Sequence, residues 1–89
     1  FQVEEDVWQQ ACADLGHVPA ERDRHQAEIG RLAAAARLPM RDTLPALRAV
    51  EPLEDGRRHL YHLRDTHFNA RGSRVVGREL AALVREVLP

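Results

Sequence analysis

Apolar residues recur at three- and four-residue steps along three segments of this sequence, and only two short pieces interrupt that period with an extended pattern. From Glu4 onward, Val7, Trp8, Ala11, Cys12 and Leu15 share one helical face and Gly16 stops it, which predicts a helix over 4–15. A second helix is expected over 23–37, with Asp23 and Gln26 at the spacing of a capping box and Ile29, Leu32, Ala33 and Ala36 on its inner face. Its run of alanines favours helix strongly. The last helix starts at an Asn69 cap and runs to about Leu88. Val76, Leu80, Leu83, Val84 and Val87 form its apolar stripe, with Arg71, Arg74, Arg78 and Arg85 on the opposite side. Between these segments, 43–50 has room for one helical turn, and Pro52, Asp55 and Gly56 mark 51–58 as a surface loop.

The extended pieces are Leu38-Pro39-Met40-Arg41-Asp42 and 59–63, followed by a loop over 64–69. Pro39 confines the first to a strand start or an edge. One or two strands of this length cannot make a sheet alone, because each backbone donor and acceptor needs a partner. Helices alternating with isolated strand-like pieces therefore predict an α/β architecture, with 1–89 as the C-terminal portion of a single domain whose earlier strands lie upstream of Phe1.

Composition narrows the function classes. An 89-residue chain is too short for two domains and buries a small core. The single cysteine, Cys12, excludes an internal disulfide. Thirteen basic residues, all of them arginine, stand against 14 acidic ones, so there is no general basic field to hold nucleic acid. No apolar run approaches the ~20 residues of a membrane span.

Reactive side chains concentrate in His59-Leu-Tyr-His62-Leu-Arg-Asp65-Thr-His67-Phe-Asn69, where an extended stretch meets a helix. In a locally extended backbone, Asp65 and His67 emerge on the same face. The carboxylate can then accept a hydrogen bond from the imidazole Nδ1, which fixes the tautomer and leaves Nε2 as a base. A nucleophile is missing. Ser73, the only serine, follows His67 by six residues on the final helix, without the strained turn that exposes a nucleophile. His59, His62, Asp65 and His67 could instead ligate a metal, although imidazoles three apart in an extended stretch point to opposite faces.

The segment from Tyr61 to Gly72, with Asp65-Thr-His67-Phe-Asn69-Ala-Arg-Gly72 at its centre, resembles the last block of SGNH (GDSL-type) hydrolases, in which an Asp and a His precede the C-terminal helix. The nearest pattern is that of the SGNH-like group containing alginate O-acetyltransferase-type proteins. Phe1-Gln-Val with Trp8, and Leu38-Pro-Met-Arg-Asp42-Thr-Leu-Pro45-Ala-Leu47, resemble upstream stretches of the same family, so the likeness spans most of the chain. It implies a three-layer, flavodoxin-like α/β fold of which this chain is a mostly helical part with one or two short strands. It also implies an esterase or O-acyltransferase acting on an acyl ester or acylated carbohydrate, in an extracytoplasmic or membrane-anchored setting. Asp65 and His67 would be the acid and base of a Ser-His-Asp triad that needs no metal or cofactor. The family's serine and its oxyanion-hole Gly and Asn have no counterpart here, so the chain alone is expected to be inactive. Unpaired strands or apolar helix faces would favour self-association. The competing reading is a non-catalytic helical module that binds other proteins.

Overall fold

A computed structural model describes residues 3–16, 23–62 and 65–89. The first residues of the family likeness (Phe1, Gln2), the expected connection at 17–19, and Leu63 and Arg64 of the reactive segment lie outside them. The chain divides into two compact units, Phe1–Asp42 and Thr43–Pro89.

In the first unit, α1 spans Glu5–Leu15 and α2 spans Arg24–Ala35. Glu5 and Asp6 place negative charge in the first turn of α1, where the helix dipole favours it. Gly16 ends α1 at φ 70°, in the left-handed region, and its N–H donates to the Cys12 carbonyl. Of the predicted apolar face, Cys12 is buried and Val7, Trp8 and Ala11 are half-buried, while Leu15 is exposed. The face closes one turn before the helix ends. In α2, Asp23 occupies the cap position without a side-chain cap bond, so the expected capping box does not form. Nor does the expected inner face: no residue of α2 is buried, and Ile29 and Leu32 are more than half exposed. The helix rests on its alanine-rich propensity and on local pairs such as Arg31 Nη2 to Glu28 Oε1 at 2.5 Å.

In the second unit, α3 spans Leu44–Arg48 and α4 spans Ala70–Val87, with α3 packed against α4. Leu44 and Leu47, three residues apart on one face of α3, are buried together with Leu60 and the backbone of Gly72. Full burial of each leucine is worth about 1.5–3 kcal/mol. On α4 the predicted stripe is covered only in part. Val76 and Leu83 are half-buried, whereas Leu80, Val84 and Val87 are exposed.

The three-layer, flavodoxin-like α/β expectation is overturned. Helix accounts for 59% of the structure and strand for 3%, with no sheet among the described residues. The reason lies in the two extended pieces. Residues 38–42 form no strand, and the piece beginning at His59 contributes a single antiparallel bridge, Tyr61 to Phe68. That pairing is spent on a local hairpin.

Candidate functional site

The hairpin is fastened to the start of α4, and this fastening positions the reactive residues. The His62 N–H donates to the His67 carbonyl at 2.9 Å and the Asn69 N–H to the Leu60 carbonyl at 3.0 Å, so 60–62 and 67–69 run antiparallel around the Tyr61–Phe68 bridge. The two rings stack with centroids 4.9 Å apart. Asn69 then works in both directions. Its Oδ1 accepts from the Gly72 N–H at 3.0 Å, capping α4, and its Nδ2 donates to the carbonyls of His59 at 2.6 Å and Tyr61 at 3.3 Å. A Cβ on Gly72 would collide with the Leu60 carbonyl oxygen and stand 2.7 Å from Phe68 Cδ1. Only glycine lets the hairpin lie this close to the helix. Arg58 Nε donates to the Arg48 and Val50 carbonyls, and Arg71 Nε to the Arg58 carbonyl, tying α3, the hairpin and α4 together.

Asp65 and His67 occupy the tip of this hairpin. The Asp65 N–H donates to the His62 carbonyl at 3.2 Å. Asp65 Oδ1 accepts the backbone N–H of His67 at 2.9 Å and lies 2.5 Å from His67 Nδ1. The expected contact is present, but through an Asx turn and not through extended backbone. These two hydrogen bonds, the backbone one first, hold the Asp65 carboxyl below the usual carboxylate range. With Nδ1 engaged, the ring presents Nε2 outward, and the His67 side chain is 84% exposed. The arrangement can take a proton at Nε2 and stabilise the resulting imidazolium through Asp65.

No family model, curated protein or solved structure matches this chain.

A second Asp–His pair, which the sequence reading missed, lies in the preceding turn. His59 Nε2 is 2.5 Å from Asp55 Oδ2, and this contact is the main cause that lowers the Asp55 carboxyl. Asp55 Oδ1 also accepts the Arg57 N–H at 3.0 Å, and His59 sits at φ 54°, in the left-handed region. The Asp55-Gly56 turn signal and the i, i+4 spacing were the available clues. Of the three imidazoles weighed as metal ligands, His59 and His67 engage two separate carboxylates, and among the described residues no group of three or more His, Cys, Asp or Glu is placed to hold a metal.

Three other residues take plain positions. Ser73 lies within α4, exposed, with its N–H donating to the Asn69 carbonyl. The Tyr61 hydroxyl is buried without a partner among the described residues, and burial raises its pKa, so it stays protonated. Cys12 is a buried thiol. No described helix is long and apolar enough to cross a membrane.

Proposed function

We propose that Asp65 and His67 are the acid and base members of a serine-type acyl-transfer site acting on an ester of a small alcohol or carbohydrate. The observation that carries this reading is the Asp65 Oδ1 contact with His67 Nδ1, with the Nε2 side open to solvent. The resemblance of Asp65-Thr-His67-Phe-Asn69 to the SGNH block supports it. The nucleophile in this proposal is a serine hydroxyl from polypeptide other than residues 1–89. His67 Nε2 takes the hydroxyl proton as oxygen attacks the ester carbonyl, and the tetrahedral adduct collapses to an acyl-enzyme while His67 returns the proton to the departing alcohol. Water or a sugar hydroxyl, deprotonated by the same nitrogen, then releases the acyl group. Asp65 keeps the ring in the Nδ1–H tautomer throughout.

The test is turnover of a short-chain activated ester by the protein joined to its serine-bearing segment. His67→Ala is expected to lower kcat by at least about 10³-fold, and His59→Ala by less than about twofold. Near-normal turnover by the His67 variant would refute the assignment.

A second reading, a non-catalytic helical module that binds other proteins, is favoured by the exposed Leu80, Val84 and Val87 on α4. The two differ in their sensitive residues. A module would lose partner binding on Leu80→Asp and be indifferent to His67→Ala.

A further inference from the structure

Where α3 and α4 pack, they leave an open groove of about 450 Å³ lined by Ala46, Ala49, Val50 and Val75 on its apolar side. Arg71, Arg74, Arg78 and Glu79 complete the lining. The volume lies in the range of small-molecule sites. Arg71, Arg74 and Arg78 come from successive turns of α4, spread over about 10 Å of helix. Arg71 is partly committed, since its Nε donates to the Arg58 carbonyl. Arg74 and Arg78 have no ion-pair partner among the described residues. Glu79, the one carboxylate of the lining, already has an interaction within the chain. Three arginines less one glutamate leave the lining with two net positive charges.

A solvated charged face would need no concavity beside it. Here the guanidinium groups border a trough of small apolar side chains, so the surface offers two chemistries side by side. Guanidinium forks match the paired oxygens of phosphate and carboxylate, and the alanine and valine floor accommodates a short hydrocarbon chain. We propose that this groove binds a small amphiphile that carries a phosphate-type anionic head on a short apolar tail, with Arg74 and Arg78 on the head and Ala46, Ala49, Val50 and Val75 under the tail. The assignment does not depend on the chemistry of Asp65 and His67.

The probe is octyl phosphate, titrated into the 89-residue chain below its micelle concentration and followed by calorimetry and amide chemical shifts. Saturable binding is expected, with the largest shifts at Ala46, Ala49, Arg74 and Val75. Inorganic phosphate and octanol, each offering half of the recognition, should bind at least tenfold more weakly. Raising the salt should weaken octyl phosphate binding, and Arg74→Glu with Arg78→Glu should weaken it at least tenfold. Vesicles containing phosphatidic acid separate two sources of the head. Competition with octyl phosphate assigns it to a lipid and lack of competition to a soluble ester, and either upholds the groove. Absence of saturable binding, unchanged affinity in the double variant, or shifts centred on Leu80, Val84 and Val87 would overturn the proposal. If the double variant fails to fold, the wild-type shift map alone decides between these outcomes.

Discussion

Two Asp–His pairs stand within a dozen residues of each other, each with the same 2.5 Å separation and each lowering its carboxyl pKa, yet they engage opposite nitrogens of the ring. With its partner two positions along the chain, the Asp65 carboxylate folds back in an Asx turn and meets the nitrogen nearest the backbone, Nδ1. With four, the Asp55 carboxylate reaches the far nitrogen, Nε2, of His59. The triad arrangement proposed for Asp65 and His67 has the near nitrogen held and the far nitrogen presented. Only the Asp65–His67 pair meets that condition. Spacing along the chain therefore decides which nitrogen is held, and with it which pair has the triad arrangement.

The largest effect that could break this contrast is catalytic. In the protein joined to its serine-bearing segment, Asp65→Asn should lower ester turnover on the order of 10³–10⁴-fold, because the tautomer with Nε2 ready to accept a proton is no longer enforced. Asp55→Asn should change it by less than about twofold, measured in the same assay. Comparable losses in both variants would show that the nitrogen engaged is irrelevant and the two pairs equivalent.

Next in size is the fastening of the hairpin. A methyl group at position 72 meets the Leu60 carbonyl oxygen, which is backbone and cannot swing aside. Gly72→Ala should therefore destabilise the chain by about 3 kcal/mol, at the upper end of overpacking costs, read from the urea midpoint. The His67 ring should also become more mobile in NMR relaxation. The Asp55–His59 contact, made within its own turn, should be affected less. A midpoint shift worth less than about 0.5 kcal/mol would mean that the close approach contributes little.

Local signals were legible and long-range ones were not. The periodicity of Val7, Trp8, Ala11 and Cys12, the stop at Gly16 and the cap at Asn69 each act within one or two turns of helix, and α1 and α4 begin and end where these residues say. The Asp65–Nδ1 contact is local too, but it was expected from extended backbone and forms through an Asx turn. What covers a face depends on residues distant in sequence. Ile29 and Leu32 have the pattern of an inner face but remain exposed, and Leu80 and Val84 share a stripe with the half-buried Leu83. The strand expectation for 38–42 failed because an extended composition does not supply a pairing partner. The reason for Gly72, a carbonyl from the hairpin lying where a Cβ would go, is visible only in three dimensions.

The smallest effect is the most discriminating about how each carboxylate is held. Both carboxyls titrate below the ordinary value of about 3.9. A depressed folded-state pKa contributes stability that is present above the unfolded-state value and lost as pH falls through the folded-state value, so both contacts should persist from neutral pH to about pH 4 and weaken in more acid solution. The leading causes differ. For Asp65 the backbone N–H of His67 ranks first, and for Asp55 the side chain of His59 does. Removing the imidazole at position 67 leaves that N–H in place, so in His67→Ala the Asp65 carboxyl should still titrate below the ordinary value. In His59→Ala the Asp55 carboxyl should move most of the way back to it, retaining the weaker help of the Arg57 N–H and the Arg57 charge. Carbon-13 NMR of the side-chain carboxyls through an acid titration of the two variants reads both midpoints. A full return of Asp65 to the ordinary value in His67→Ala would mean that the Asx turn exists only because of the imidazole, and the tip could not then hold Asp65 ready while the ring changes its protonation.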